Sequence, residues 1–447
     1  MIMQNNFKDK KITVMGLGLL GRGVNDAKFL ADCGAELIVT DLKPKEELKE
    51  SLAILKDYKN ITYALGGHRL EDFRNRDMII KSAGVPLDSL YITEARKNKI
   101  PIEMSTSLFA QLTPATIVGI TGTRGKSTVT HLLYEILKAA FPKKQIFLGG
   151  NVKGIATLPL LEKAKRGDIA VLELDSWQLQ GFAESKISPH ISVFTTFFSD
   201  HLNYYKNNLD CYLEDKAGIF INQKSDDFLV LGSQASEIIL SKYKNVIKSK
   251  IIIPEVALSA GFETKLLGEH NKYNISLAVA TAQILNVPDG IIKKVVESFI
   301  GVPGRLELVR IINGVNIYND TTATTPEATI AGLKALDKNI ILIMGGADKD
   351  LNMDTLIKTI PDHCKGVFVL PGTGTDRIKD KLETLKNMDV IFVKTLEEAF
   401  KKGLESSKSG DSLLLSPAFA SFGMFKNEFD RGEKFIKIIL DICKPVC

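Results

Sequence analysis

The sequence predicts an α/β protein of three domains. Its 447 residues suggest about three domains, since one domain per roughly 150 residues is usual. Apolar residues make up 45% and charged residues 25%, which is ordinary globular composition and excludes a wholly disordered chain. Apolar runs recur along the chain, each followed by a glycine turn and a helical pattern. This is the rhythm of βαβ units in a parallel sheet.

We expect a Rossmann-like domain over residues 1–112. Three apolar runs in it have the composition of buried strands: 11–15, 36–40 and 78–81. The first run leads into a glycine turn and a helix through Cys33. A short helical stretch, 105–111, ends before Thr113-Pro114, and the first domain boundary is placed there.

A second series of strands and helices predicts a central α/β domain of the P-loop ATPase type over residues 113–300. Strand-like runs lie at three places: 116–120, 169–174 and 191–197. A helix is expected over 129–140, and the segment 223–265 mixes short strands with one helix.

The break at Gly301-Val-Pro-Gly304 predicts the start of a third domain, Rossmann-like, over residues 301–447. Four apolar runs in it end in glycine, proline or a polar turn: 314–318, 340–344, 367–370 and 412–415. These again have the βαβ rhythm.

Charge, hydropathy and cysteine usage exclude several classes of protein. A formal charge of +5 with no dense run of Lys and Arg argues against nucleic-acid binding. No stretch of 18 apolar residues occurs, so no membrane-spanning helix is expected. The five cysteines are scattered, without a CxxC pair, which favours a reduced cytoplasmic setting without a zinc site or a disulfide framework. A monomer is the default expectation.

The first glycine turn has the spacing of a dinucleotide-binding fingerprint. Gly16-x-Gly18-x-x-Gly21 follows a predicted strand and opens a helix, and Asp41 ends the next predicted strand. The N–H groups of a helix N-terminus favour a diphosphate. Taken alone, the pattern favours NAD and an oxidoreductase, with a structural turn as the alternative.

A second polar turn, between a strand and a helix, predicts a phosphate site. It consists of Gly122, Thr123, Arg124, Gly125, Lys126, Ser127 and Thr128. Backbone N–H groups and the Lys126 cation attract an anion, and the Ser127 hydroxyl can bind Mg²⁺. Ile120 stands where the common phosphate loop has its first glycine, so this turn is a shorter variant. A plain strand-to-helix turn that contains a lysine is the alternative.

Motifs in order along nearly the whole chain resemble the Mur ligase family. They lie at 121–128, 149–151, 172–179, 200–203, 216, 268–274, 303–307, 319–324, 345–349 and 416–421. Each motif alone is weak evidence, but their shared order is strong. The resemblance implies ATP-dependent joining of an amino acid to a carboxylate in peptidoglycan precursor synthesis, a part of cell wall biogenesis that serves cell shape and division.

The resemblance assigns ATP and two Mg²⁺ ions to the central domain. A carboxylate must approach the γ-phosphate, and two like charges 4 Å apart repel by about 4 kcal/mol at an effective dielectric of 20, so cations are needed. By resemblance, Ser127 and Glu173 bind the first Mg²⁺, and His201 and Lys216 bind the second. In related ligases the equivalent lysine carries a carbamate, so we expect a carbamylated Lys216. The expected catalytic residues are Lys126, His201 and Lys216.

The same resemblance assigns three further groups of binding residues. ATP is also contacted by Asn271, Arg305 and Asp320. The nucleotide sugar is contacted by Leu19, Leu20, Asp41, Gly84 and Asn151. The amino acid is contacted by Thr324, Lys349 and Ser421. The pattern is most similar to members that add D-glutamate to UDP-N-acetylmuramoyl-L-alanine through an acyl phosphate.

Other functions stay open at this point. A sister ligase that adds another amino acid, such as L-glutamate or alanine, has the same order of motifs. A non-catalytic ATP-binding protein that senses the nucleotide sugar would not need the expected catalytic residues. An NAD-dependent oxidoreductase explains the first loop but leaves the second unused. Read without the family, Glu173 is a solvated carboxylate, Lys216 a surface lysine and Asn271 a helix cap.

Three positions depart from the family pattern. Asp175 replaces a serine and adds negative charge near the expected metals. Arg124 replaces an asparagine in the phosphate loop and can compensate for that charge. Thr322 replaces a lysine, which leaves the amino acid and its handedness open, although Lys349 and Thr324 are retained and favour a glutamate.

Overall fold

The computed structural model describes residues 4–18, 21–201, 204–255, 261–386 and 388–442. Within these ranges the strands form three sheets, of five, six and six strands. Strands pair in parallel in all three sheets, and the pair β12–β13 of the third sheet is antiparallel. This confirms the predicted α/β class. No described helix is both long and apolar enough to cross a bilayer.

The first sheet has the strand order β3-β2-β1-β4-β5, which matches the first five strands of the Rossmann order 3-2-1-4-5-6. Its strands are β1 (Lys11–Met15), β2 (Glu36–Asp41), β3 (Ile61–Leu65), β4 (Met78–Lys81) and β5 (Ile102–Glu103). The helices of this segment are α1 (Gln4–Phe7), α2 (Arg22–Asp32), α3 (Lys49–Leu55), α4 (Leu90–Lys97) and α5 (Ser105–Leu112). The central strand β1 is buried after its first residue, as expected for a strand covered on both faces.

The second sheet has the order β11-β10-β9-β6-β8-β7 and is parallel throughout. Its strands are β6 (Thr116–Thr121), β7 (Ile146–Gly150), β8 (Ile169–Glu173), β9 (Ile191–Phe194), β10 (Phe228–Leu231) and β11 (Lys250–Ile252). The helices are α6 (Lys126–Ala140), α7 (Ser176–Glu184), α8 (Leu209–Ala217), α9 (Ser233–Tyr243), α10 (Glu269–Ile284) and α11 (Asp289–Ser298). Strand β8 is buried over its whole length, which explains its unbroken apolar run.

The third sheet has the order β12-β13-β17-β14-β15-β16. Its strands are β12 (Glu307–Ile312), β13 (Val315–Asn319), β14 (Ile340–Gly345), β15 (Cys364–Leu370), β16 (Asp389–Phe392) and β17 (Ser412–Leu415). The helices are α12 (Pro326–Leu336), α13 (Asp354–His363), α14 (Thr373–Glu383), α15 (Leu396–Glu405) and α16 (Glu428–Ile442).

The chain divides into two compact units. The first consists of Met1–Gly261 with Tyr273–Val296 and holds the first two sheets. In it, α2 contacts the 3₁₀ turn Leu158–Glu162, and one hydrophobic core continues between the two sheets. The second unit consists of Phe262–Lys272 with Glu297–Cys447 and holds the third sheet. The three domain ranges stay a prediction.

Two element bounds near the phosphate loop differ from the expected ones. Helix α6 begins at Lys126 rather than at residue 129, because the second half of the polar turn already forms the first helical turn. Strand β9 ends at Phe194 rather than at residue 197. Its continuation turns toward the loop, where the hydroxyls of Thr195 and Thr196 both donate to the carbonyl of Arg124.

Candidate active site

The polar turn after β6 is held in a conformation that requires glycine. Gly125 caps α6 in the left-handed region, with φ of 84°. A Cβ atom at this position would lie 2.3 Å from the Asn274 side-chain oxygen, closer than any van der Waals contact allows. The side chain of Thr123 is also fixed, since its hydroxyl donates to the carbonyl of Phe198 at 3.1 Å. The loop is therefore rigid, and the N–H groups at the start of α6 can face an anion.

Two cations of the loop are held by short contacts. Lys126 Nζ donates to the carbonyl oxygens of Gly122 (3.0 Å) and Thr123 (3.2 Å), so the amine folds back over the loop. The Arg124 guanidinium lies 3.4 Å from an Asp200 carboxylate oxygen. Burial alone would raise the pKa of Asp200, but the charges of His201 and Arg124 outweigh it and hold the pKa below its usual value.

Lys216 reaches the same loop from α8. The side chain is 1% exposed, and its Nζ donates to the Gly122 carbonyl at 3.0 Å and to the Thr121 hydroxyl at 3.4 Å. Burial, reinforced by the Lys126 charge, lowers the pKa of Lys216 well below its ordinary value. A surface lysine is thus excluded at this position, and burial favours the neutral form of the amine.

The other expected metal ligands lie at the carboxyl ends of neighbouring strands. Glu173 is buried at the end of β8, in register with Ile120 of β6, so a solvated carboxylate is excluded there as well. His201 follows β9, and its ring centroid lies 4.9 Å from that of Trp177. Ser127 is buried in the first turn of α6. Thr128 follows it in the same turn.

A cavity of about 420 Å³ lies between the loop Gly16–Gly21, called here the first glycine loop, and the loop Gly122–Thr128, called the second. Its lining includes Gly84, Lys126, Asn151 and His201, four of the residues that the sequence predicted to bind substrates or metal. The cavity therefore joins the predicted nucleotide-sugar site to the predicted ATP site within the first unit.

The loop Gly16–Gly21 is shaped by Asp41 at the end of β2. One carboxylate oxygen of Asp41 accepts the N–H groups of Leu17 (2.9 Å) and Gly18 (3.2 Å). The other accepts the N–H of Lys43 at 2.9 Å. This carboxylate therefore fixes the loop, a role that the sequence did not reveal. Leu19 and Leu20 lie outside the described residues.

Sequence reasoning missed several residues around this cavity. A Cβ atom on Gly23 would lie 2.5 Å from the Leu17 carbonyl oxygen, so only glycine lets α2 pack against the loop. Arg22, Asp26 and Trp177 line the cavity. Burial raises the pKa of Asp26 to about 7. Gly23 follows the fingerprint residue Gly21 by two positions, and this spacing was the available signal for it. Nothing near Asp26 in the sequence indicates that its carboxyl group is buried.

In the second unit, Asp320 is buried at the end of β13. Its carboxylate accepts the Ser416 hydroxyl at 2.9 Å and the Leu306 N–H at 3.0 Å. Burial raises its pKa to about 7, although these hydrogen bonds and the Arg305 charge oppose the shift. The Asn271 side-chain amide donates to the Leu267 carbonyl at 2.8 Å, so its NH₂ group stabilises the start of α10.

The residues predicted to bind the amino acid lie on loops of the third sheet. Lys349 Nζ donates to the Thr324 hydroxyl at 3.1 Å, so this pair does come together. Ser421 is buried next to Ala420, whose backbone pairs with Ala347. The Thr322 hydroxyl donates to the Gly304 carbonyl at 2.9 Å, so this side chain stabilises the conformation of its own loop.

Asp175 has a structural role that explains its departure from the family pattern. It is the N-cap of α7, and its carboxylate accepts the Gln178 N–H at 2.7 Å. The Gln178 side chain in turn accepts the Asp175 N–H at 3.1 Å. Aspartate and serine cap helices about equally well, so the substitution preserves the start of this helix.

Comparison with known proteins agrees with these observations along the whole chain. Residues 10–103 match the Mur ligase MurD-like N-terminal domain, 120–252 the Mur ligase middle domain, and 304–419 the Mur ligase glutamate ligase domain. The UDP-N-acetylmuramoylalanine--D-glutamate ligase of Roseiflexus sp. (strain RS-1) is 36% identical over 96% of this chain and 98% of that protein. The enzyme of the same name from Clostridioides difficile (strain 630) is 35% identical over 96% and 98% of the two chains.

Solved structures support the fold. The UDP-N-acetylmuramate-alanine ligase MurC from Thermotoga maritima aligns with a TM-score of 0.63 at 19% identity, over 97% of this chain and 100% of that one. The MurF ligase from Thermotoga maritima in complex with ADP aligns with a TM-score of 0.56 at 17% identity, over 98% and 96%.

Proposed function

The chain belongs to the Mur ligase family, and on this premise we propose that it joins D-glutamate to UDP-N-acetylmuramoyl-L-alanine with ATP, in peptidoglycan precursor synthesis. Relatives of that name over nearly the full chain support the proposal. The observation that carries it is the convergence of Lys126 and Lys216 on the carbonyl of Gly122. The Lys126 cation suits a reaction between two anions, and Lys216 beside it is the residue proposed to carry a metal-binding carbamate.

The first chemical step brings a carboxylate to a phosphate. A carboxylate oxygen of the nucleotide sugar attacks the γ-phosphorus of ATP, ADP leaves, and an acyl phosphate forms. Repulsion of about 4 kcal/mol for each pair of like charges at 4 Å must be offset by cations held in place beforehand. Lys126, whose amine is held over the loop by two carbonyls, is proposed to do this for the phosphate.

The second step forms the amide bond. The amine nitrogen of the amino acid attacks the acyl carbon, loses a proton, and phosphate leaves with the bonding electrons of the C–O bond. Lys349 and Thr324, which are hydrogen-bonded to each other, together with Ser421, are proposed to bind the carboxylates of the amino acid.

The residues at the loop fit Mg²⁺, which prefers oxygen ligands. Ser127 and Glu173 would hold one ion, and His201 with a carbamylated Lys216 would hold the second. The buried position of Lys216 supports the carbamate, because burial lowers the pKa of the amine and only the neutral amine can attack CO₂ and then lose a proton. Among the described residues no three His, Cys, Asp or Glu side chains form a metal cluster, so phosphate and water oxygens would complete the coordination. Mg²⁺, when bound, neutralises phosphate charge.

ATP is proposed to be held by the loop Gly122–Thr128 together with Asn271, Arg305 and Asp320. The nucleotide sugar is proposed to occupy the cavity, with Asp41, Gly84 and Asn151 at its side. A monomeric state and a cytoplasmic location stay predictions.

An amino-acid panel tests the proposal. Phosphate release is measured with ATP, Mg²⁺, UDP-N-acetylmuramoyl-L-alanine and one amino acid at a time: D-glutamate, L-glutamate, D-alanine and L-alanine. We expect release with D-glutamate that needs all three substrates. A clear preference for another amino acid contradicts the assignment of D-glutamate. Absence of turnover with every amino acid contradicts the ligase function.

L-glutamate is the second candidate amino acid. Thr322, which replaces the family's lysine and binds its own loop, is the observation that favours it, since a lost cation changes how an amino-acid carboxylate is held. The same panel separates the two enantiomers.

A further inference from the structure

We propose that Arg22 binds the phosphate groups of the nucleotide-sugar substrate while it holds Asn151 of the central domain. The inference rests on the proposed function and adds to it a residue outside the family motifs. It would make Arg22 a cation of the first glycine loop, as Lys126 and Arg124 are cations of the second.

The position of Arg22 in the fold favours an anion. Arg22 is the first residue of α2 and follows Gly21, which offers no side-chain cap to the helix. Within the part of the chain that the structure describes, no side chain caps the N–H groups at the start of α2, so these groups can face a negatively charged ligand. Arg22 also lines the cavity together with Gly16 and Gly18 of the loop, so a cation and a helix N-terminus face the same space.

The hydrogen bonding of Arg22 leaves room for a ligand. Its Nη1 donates to the Asn151 side-chain oxygen at 2.8 Å, and the Asn151 N–H donates to the Glu173 carbonyl at 2.7 Å. A guanidinium carries five N–H donors in a planar fork, and this is the one hydrogen bond of the Arg22 side chain within the described residues. The remaining donors can bind two phosphate oxygens at once.

Two other cations of the cavity are held by carbonyl oxygens. Lys81 Nζ donates to the carbonyls of Ala83 (3.4 Å) and Val85 (2.9 Å), which shapes the loop after β4. Lys126 folds over the second loop. Asp26, one turn after Arg22, is an acid whose pKa burial raises to about 7, so it is partly uncharged at neutral pH. Arg22 is thus the cation best placed for phosphates at the first loop.

The test compares Arg22→Gln and Arg22→Lys with a control on the same helix. Lys28→Gln is the control, because the Lys28 side chain is half-exposed and its amine pairs with Asp32 at 2.6 Å. Isothermal titration calorimetry of the full chain measures the affinities for UDP, for uridine by displacement of UDP, and for ATP. Trp177, the one tryptophan of the sequence, lines the cavity, so its fluorescence reports binding at this site independently.

We expect Arg22→Gln to weaken UDP binding by roughly 10- to 100-fold, the range for a lost hydrogen bond to a charged group. Uridine and ATP affinities should change less than twofold, Arg22→Lys should lose less than Arg22→Gln, and Lys28→Gln should match the wild type. Unchanged UDP affinity in Arg22→Gln, or an equal loss for UDP and uridine, overturns the inference alone. A wild-type protein that binds ATP but neither UDP nor UDP-N-acetylmuramoyl-L-alanine overturns the proposed function as well.

Discussion

Two glycine loops of the first unit join a strand to a helix in the same way but present different chemistry to their surroundings. Each helix begins after a left-handed glycine without a side-chain cap, Gly21 with φ of 79° and Gly125 with φ of 84°. At the first loop a carboxylate, that of Asp41, accepts backbone N–H groups. At the second loop the amines of Lys126 and Lys216 donate to a backbone carbonyl.

The difference indicates what each loop does with a phosphate. A phosphate that only anchors a substrate needs a rigid backbone and one steady cation. A phosphate that is transferred changes its charge distribution during the reaction, so it needs several cations fixed in advance. The first loop has the features of an anchor, and the second has those of a reaction centre. Substitutions at each loop should therefore affect different kinetic constants.

The largest effect is expected at Lys216. Lys216→Ala removes the proposed carbamate ligand from the second loop, and we expect kcat to fall by at least about 100- to 1,000-fold, with UDP affinity within about twofold of the wild type. Added acetate or formate should restore part of the activity, since a short carboxylate can take the place of the carbamate. Phosphate release and calorimetry measure the two quantities.

Lys216→Arg is the matched control, because it keeps a long basic side chain that cannot form a carbamate. We expect it to be inactive and not to respond to acetate. A Lys216→Ala variant with near wild-type activity and no response to carboxylates would show that the second loop does not depend on this residue.

A smaller and different effect is expected at Asp41. Asp41→Asn places an NH₂ group where the carboxylate accepts N–H groups from Leu17, Gly18 and Lys43, so the first loop loses part of its support. We expect the KM for the nucleotide sugar to rise by roughly 10- to 100-fold, with kcat and the KM for ATP changed by less than about threefold. A fall in kcat at saturating substrates would contradict the separation of anchor and reaction centre.

Both loops could be predicted from the sequence because their signals are local. A strand, a glycine spacing and a helix follow one another within about 20 residues, as at Gly122–Thr128. The role of Asp41 as the acceptor for its own loop and the contact between Arg22 and Asn151 could not be predicted, because they depend on how distant segments pack. The burial of Lys216 could not be predicted either, because the sequence of α8 has the pattern of an ordinary polar helix.

The α/β class of the fold could be predicted from the sequence, but some strands at the edges of the sheets could not. Central strands such as β1 and β8 are buried runs with a clear pattern, whereas β5 has two residues and β12 is partly exposed, so neither has a periodicity that the sequence reveals. The antiparallel pairing of β12 with β13 did have a local signal. Asn313-Gly314 joins the two strands with positive φ at both residues, and this dipeptide is typical of a two-residue hairpin turn.

The pH dependence of the free energy of unfolding tests the charge near the first glycine loop. The residue concerned is Asp26, which lies one turn after Arg22. Burial raises its pKa to about 7, whereas an unfolded aspartate titrates near about 3.9. The folded protein therefore keeps a proton that the unfolded chain releases, and this residue's contribution to stability falls as the pH rises from about 4 to about 7. Asp26→Asn cannot ionise, so we expect its stability relative to the wild type to increase by about 2 kcal/mol between about pH 5 and pH 7.

Urea unfolding of both proteins at the two pH values measures this difference. Glu50→Gln, at an exposed carboxylate of α3, is the control and should follow the wild type. An Asp26→Asn variant whose stability changes with pH in parallel with the wild type would show that the carboxyl group is ionised in the folded state and that the first loop faces a full negative charge.

The smallest effect is expected at Asp175, where this chain departs from the family near the second loop. Asp175→Ser keeps an N-cap for α7, so we expect unfolding free energies within about 0.5 kcal/mol of the wild type, whereas Asp175→Ala should cost about 1 kcal/mol. The Asp175 charge also acts on Lys216, where it opposes the lowering of the lysine pKa, but burial is the larger cause. We therefore expect kcat of Asp175→Ser within about twofold of the wild type. A tenfold rise in kcat would contradict this expectation. It would mean that the Asp175 carboxylate repels the reacting phosphate, so that helix capping is not its only effect on the second loop.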